Sequence, residues 1–322
     1  MAAAQTNAEL EEHRALREGC GLLDRSARGK LALTGPDAVE FLNGQVTNEL
    51  ATLAPGQGRY AAFLTHKGKM LGDLRVLAVT GPDGELELLL DTERASLQAL
   101  FDMIRRFKVG YRVELHKRTL ERGLLSLIGP RADVLAGAGP GGEEHANALV
   151  QIDGIEALAI RTDAGIDLLC AAEDTEALAA ALLARGATTV GEAAAECLRV
   201  EGGRPRYGID LDDSAIPQEA GLNERAVSFT KGCYVGQETV ARLFYKGKPN
   251  RHLRGLRLSA PAEAGEPLRL GEREVGRVGS FAVSPSLGPI ALALVRREAE
   301  PGARRAVGDG DRTAEVVELP FS

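Results

Sequence analysis

The feature that most restricts the fold is an order of elements that occurs twice. Lys30-Leu31-Ala32-Leu33 reads as a strand, followed by Gly35-Pro36 and a helical stretch carrying Val39, Phe41 and Leu42. Leu124-Leu125-Ser126-Leu127-Ile128 repeats it, again ending in Gly-Pro, at Gly129-Pro130. Proline fits the first turn of a helix, so each pair marks a strand giving way to a helix. Later parts match as well. Leu86–Leu90 precedes a helix expected over 92–106, with Leu97, Leu100, Phe101 and Ile104 on one face. Ile166–Cys170 precedes a helix over 175–184. Strands are also expected at 60–64, 74–79 and 111–115, and helices at 7–18 and 192–200. The turn Gly81-Pro82-Asp83-Gly84 is a hairpin signal. The fold class expected is α+β, with two related units of antiparallel sheet and helix.

After Lys246-Gly247-Lys248-Pro249-Asn250 the texture changes. Short strands expected at 253–258, 275–280, 290–295 and 314–319, spaced by Gly and Pro turns, read as a small antiparallel β-barrel. The division expected is 1–247, made of halves 1–118 and 119–247, then a barrel over 248–322.

Composition excludes several classes. The chain has 322 residues, 44% apolar and 26% charged, which reads as soluble and globular. Its start lacks the basic and apolar regions of a signal peptide, and no apolar run nears the ~20 residues that span a bilayer. The expectation is a cytoplasmic protein with no membrane partner. A net charge of −7 argues against direct nucleic-acid binding. One basic run, Arg242, Lys246, Lys248, Arg251, Arg254 and Arg257, reads either as a solvated face or as an anion site. The four cysteines, at 20, 170, 197 and 233, lack metal-ligand spacing, so no metal site is expected.

The densest chemistry lies in Lys231-Gly232-Cys233-Tyr234-Val235-Gly236-Gln237-Glu238. Helical spacing beyond it predicts a helix from about Tyr234, which puts Cys233 at a positive helix entrance. Lys231 adds a second positive field, and both favour a thiolate. Gly232 and Gly236 leave space around the sulfur. Gln237 shares a helical face with Cys233 if the turn has begun, and Glu238 reads as a general base or a first-turn dipole partner. A buried cysteine in a helix cap is the plainer alternative.

With these residues in view, the chain resembles the YgfZ-type folate-binding proteins, relatives of the glycine-cleavage T-protein (aminomethyltransferase). The resemblance rests on Phe41–Asn48, Gly68–Val76, Arg199–Gly208, Lys231–Glu238, Val278–Pro285 and Ile290–Val295, of which Lys-Gly-Cys-Tyr-x-Gly-Gln-Glu is the specific signature. It implies two related α+β domains and a barrel around a central opening. It also implies tetrahydrofolate or a derivative as ligand, and a role in iron–sulfur cluster assembly or repair. Partners would be iron–sulfur clients or assembly proteins, some of them tRNA-modifying.

Glu201 matches the family's pterin-binding carboxylate, which can accept the amino group and ring N–H of a pterin edge together. Tyr207 is placed to stack on the pterin or to pack in the turn, and Arg199 to pair in the neighbourhood of Glu201, meet the glutamate tail or lie at the surface. T-proteins carry two consecutive acids where this chain has Gly72-Asp73. That departure counts against aminomethyl transfer and moves the expected chemistry to Cys233. Aminomethyl transfer and a non-catalytic docking module remain the competing readings.

Overall fold

The structure, a computed structural model, describes residues 7–308 and 310–321. Five antiparallel strands form the first sheet, in the order 58–64, 70–80, 86–92, 29–34 and 114–117. The second sheet runs 147–152, 155–161, 165–171, 122–128, 21–24 and 188–189. Apart from the inserted strand Gly21–Asp24, the two orders correspond strand for strand. Residues 21–24 thus lie early in the chain but belong to the second sheet.

The duplicated Gly-Pro has a backbone cause. Gly35 and Gly129 hold φ of +104° and +124°, a region that side chains with a Cβ rarely enter. A Cβ on Gly35 would lie 2.3 Å from the Arg112 carbonyl oxygen, and one on Gly129 2.7 Å from that of Gly19. Each glycine lets a strand turn sharply into its helix, Ala38–Asn43 or Ala132–Leu135.

Each sheet buries one face under its helices. In the first, Leu74, Val76 and Ala78 meet Phe41, Leu42, Leu100 and Ile104. In the second, Ile166, Leu168 and Cys170 meet Leu135, Leu178 and Leu182. Phe41 and Phe63 are almost fully buried, and truncating either to Ala should cost about 3–5 kcal/mol. Strand side chains alternate faces, so the intervening residues point the other way. There Leu77, Leu124, Ile160 and Leu169 pack the two sheets together. Towards one edge of this contact the apolar residues give way to Arg75, Asp73 and Asp167, and a cleft opens.

The third unit is a closed barrel of six strands, in the order 251–258, 288–296, 273–284, 267–270, 304–307 and 313–317. Strands 267–270 and 304–307, four residues each, are additional to those expected from the sequence. The helix Glu192–Glu201 ties the units together. Ala194 and Ala195 pack with Leu16 of the N-terminal helix, and Cys197 and Val200 with Ala282 and Leu292 of the barrel.

Candidate functional site

The cleft has a volume of about 730 Å³, within the range for organic ligands. Both sheets, the end of helix 192–201, the loop after it and the edge of the barrel contribute walls. Asp73, Arg75, Asp167, Arg199 and Glu201 all line it, from positions far apart in sequence.

A buried ion network closes its floor. The Arg75 guanidinium donates to Asp91 and to Asp167 at 2.6 Å each, joining one sheet to the other. Arg28 donates to Asp91 at 2.9 Å, and the Ser126 hydroxyl to Asp167 at 2.6 Å. Although burial opposes its charge, Arg28 and Arg75 hold the Asp91 carboxyl well below the ordinary range. Such a network is stable only when complete, because removing one member strands a buried charge.

Asp73 sits beside this network under different conditions. Its carboxylate accepts one short bond, 2.6 Å, from the Tyr60 hydroxyl. Burial pushes its pKa up to about 6, outweighing the lowering by that bond. A carboxyl tuned this way can hold or release a proton near neutrality. Its neighbour Gly72 points away from the cleft. A Cβ there would fall 2.4 Å from the Ser96 Cβ and 2.7 Å from the Phe63 ring. Position 72 has no room for a second acid, and an acid there would not have faced the cleft. The cleft-facing carboxylate is the one retained.

Glu201, on another wall, is more fully engaged. It accepts from the Ser284 hydroxyl at 2.6 Å, contacts His13 Nε2 at 3.1 Å and pairs with Arg17. Burial opposes its charge, yet the bonds from Ser284 and Arg17 prevail and hold its pKa below the usual value. The Arg17 side chain is half exposed, so it can leave and free an oxygen towards the cleft. His13, Cys197 and Glu201 place donor atoms within 4.8 Å of one another, a possible metal-ligand set. Burial pushes the Cys197 thiol up to about 12, and the thiol and His13 both bond the Glu201 carboxylate.

The other expected pterin-site residues separate. Arg199 lines the cleft but is committed to Glu196 and Asp210, at 2.7 and 2.9 Å. This pairing fixes the loop after the helix and holds the Arg199 side chain off the open surface. Tyr207 is not part of the cleft lining; its hydroxyl reaches the Met70 carbonyl at 3.4 Å and its ring packs beside Leu211 and Leu222.

The cysteine motif lies outside the cleft lining altogether. Cys233 is exposed, whereas Cys20, Cys170 and Cys197 are buried. The helix begins at Gln237, three residues later than expected. Gly236, at φ +83°, makes the turn before it, where a Cβ would lie 2.5 Å from the Thr65 carbonyl oxygen. Cys233 therefore precedes the helix entrance and does not share a helical face with Gln237. Lys231 is committed to backbone carbonyls of another segment. Its ammonium donates to the carbonyls of Asn43, Val46 and Asn48 at 2.6–2.9 Å. Burial pushes its pKa down to about 8. Tyr234 is buried in the adjacent core, Gly232 has open space around it, and Glu238 is exposed in the first helical turn.

The basic run also comes apart. Arg251 pairs with Glu219 at 2.8 Å and Arg254 with Glu318 at 3.0 Å, so it does not form one open anion site. Among the described residues no helix is long and apolar enough to cross a membrane.

Comparisons with known proteins agree with this architecture. Residues 3–231 match the GCVT N-terminal domain, and residues 251–322 match the glycine cleavage T-protein C-terminal barrel domain. An aminomethyltransferase of Rubrobacter xylanophilus is 32% identical, over 96% of this chain and 85% of that protein. A putative chloroplastic transferase of Arabidopsis thaliana is 27% identical, over 95% of this chain and 72% of that protein. The crystal structure of glycine cleavage system aminomethyltransferase T from Bartonella henselae superposes with a TM-score of 0.85 at 28% identity. It covers 98% of this chain and 89% of that one.

Proposed function

Because this chain belongs to the glycine-cleavage T-protein family, matched in both its N-terminal domain and its C-terminal barrel, we propose that it binds a reduced folate in the cleft. We further propose that it serves iron–sulfur cluster assembly or repair in the cytoplasm, with tRNA-modifying enzymes among its clients. Residues 1–247 would form the folate-binding region and 248–322 the barrel. The observation that carries this reading is the pairing of a folate-sized cleft with one exposed thiol outside it. Glu201 would take the pterin edge, with Arg17 moving aside. Cys233, on a loop anchored by Lys231, would meet a protein partner. Beside it Phe229 and Phe244 stack at 3.7 Å, and Phe244 and Tyr245 are exposed.

A second reading has its own support. Asp73, a cleft-facing carboxyl with a pKa near neutrality, would suit proton transfer during one-carbon transfer to an amine, as expected of an aminomethyltransferase relative.

Calorimetry with 5-formyltetrahydrofolate on the wild type, Glu201→Ala and Cys233→Ser tests the first reading. The expected result is binding by the wild type, about a tenfold loss in Glu201→Ala from the missing charge-assisted bond at the oxygen that Arg17 frees, and unchanged binding in Cys233→Ser. A client-enzyme assay in cells lacking the protein should then fail with Cys233→Ser. Full rescue by that variant, with methylene transfer lost in Asp73→Asn, would instead establish the transferase.

A further inference from the structure

The helix Gln237–Lys246 carries an exposed face of mixed character. Val240 is buried, and helical spacing puts Arg242, Tyr245 and Lys246 on the opposite side. Tyr245 is 67% exposed, and Phe244, at the flank of that face, 48%. Arg242, Lys246 and the following Lys248 are exposed too, and their side chains have no hydrogen-bond or ion-pair partner among the described residues. That sets them apart from Arg251 and Arg254, which Glu219 and Glu318 neutralise. No acid lies between Glu238 and Glu263 in the sequence, so the end of the helix is basic on a chain of net charge −7. The face adjoins the cysteine loop. Phe244 stacks on Phe229, four residues before Cys233, with ring centroids 3.7 Å apart, and Tyr245 meets Phe244 edge-on at 5.0 Å.

Exposed aromatic rings complement a partner's apolar groups, and unpaired cations beside them complement its carboxylates; Tyr and Arg recur as anchors of protein interfaces. We propose that this face is a docking surface for an acidic segment of a partner protein, with Tyr245 as the aromatic anchor and Arg242, Lys246 and Lys248 as the charged rim. The inference rests on the reading that Cys233 meets a protein, and it names the chemistry of that partner. Size favours a short protein segment over a nucleic acid. Ten helical residues span about 15 Å, the reach of four or five extended residues. A long polyanion would run past them onto a molecule whose net charge is negative, whereas a few carboxylates would not.

The test measures binding by fluorescence anisotropy at about 50 mM salt. The probes are a labelled peptide of glutamates around a phenylalanine and a leucine, the same peptide with glutamine for glutamate, and an oligothymidylate of similar length. The expected result is binding of the acidic peptide alone, weakened about tenfold at about 500 mM salt. Arg242→Glu/Lys246→Glu should weaken it at least about tenfold, and Tyr245→Ser about fivefold. Arg105→Glu/Arg106→Glu changes the net charge equally, at two exposed arginines of the helix Leu97–Phe107, and should stay within about twofold. All these positions are exposed, so melting temperature and folate affinity should not change. No binding of the acidic peptide, or equal binding of its glutamine form, would overturn the proposal. So would an affinity that Arg242→Glu/Lys246→Glu leaves within about twofold, or one that Arg105→Glu/Arg106→Glu lowers as much, which marks a response to net charge only. Oligothymidylate bound as tightly, and lost in the same variant, would make the face a nucleic-acid site instead. Failure of the reading beneath it shows elsewhere, as a client-enzyme assay that Cys233→Ser leaves intact.

Discussion

The cysteine loop and the cleft wall each bury a charged group with a shifted pKa, and they use it in opposite ways. In the loop, Lys231 gives its ammonium to three carbonyls of the 43–48 segment. In the cleft, Asp73 receives one bond from Tyr60, and His145 makes none with its ring. Burial is common to both regions, but saturation is not. A saturated buried group holds the chain together, because its partners lose their own bonds when it goes. An undersaturated one weakens the fold and gains only when something else arrives. On that ground Lys231 serves the scaffold, whereas Asp73 keeps unused capacity to bond, the reverse of what residue spacing suggested for the lysine.

The largest effect should come from breaking the saturated side. Lys231→Met strands three carbonyls at once, and urea unfolding at pH 7 should show a loss of about 3 kcal/mol. A loss below about 1 kcal/mol would mean that water replaces the ammonium easily and that the contrast is overdrawn.

The undersaturated side should respond with the opposite sign. An unfolded aspartate titrates near 3.9, whereas Asp73 in the fold titrates at about 6. The folded state keeps its proton where the unfolded chain has lost it. Stability therefore falls as pH rises from about 4 to about 6, and the deficit persists above that. Asp73→Asn lacks this penalty and can still accept from Tyr60. At pH 8 it should be more stable than the wild type by about 2 kcal/mol, converging below pH 4. A variant less stable at pH 8 would show that the network beside Asp73 needs its charge.

The same distinction explains what the sequence disclosed. The two Gly-Pro corners were legible because each is a local demand of the backbone, met by Gly35 and Gly129 alone. The strand expected over 74–79 was legible too, but in the structure it begins at Met70, and only that extension puts Gly72 and Asp73 on opposite faces. Read that way, the missing acid is no loss to the cleft. Side-chain direction in loops was not legible: Lys231 stands two residues from Cys233 yet points into another segment. His145 was invisible, because it follows a glycine-rich stretch and owes its burial to the edge of the other sheet near Gly58. The basic run was misleading for a similar reason. Glu219 and Glu318, which neutralise two of its arginines, are remote in sequence.

The smallest effect on stability should be that of Cys233→Ser, and it tests the comparison from the exposed side. Cys20, Cys170 and Cys197 are buried, and burial raises the pKa of each thiol, to about 11 for Cys20 and about 12 for Cys197. Thiolate is the reactive form, so a native protein treated with a disulfide reagent at pH 7.5 should release one rapid equivalent per chain. Cys233→Ser should release none in that phase. Its stability should stay within about 0.5 kcal/mol of the wild type, as for most exposed substitutions, and its folate affinity should be unchanged. A surviving rapid phase would point to a buried cysteine exposed by local opening. Lost folate affinity would mean that loop and cleft act as one site, joined through the 43–48 segment that Lys231 holds.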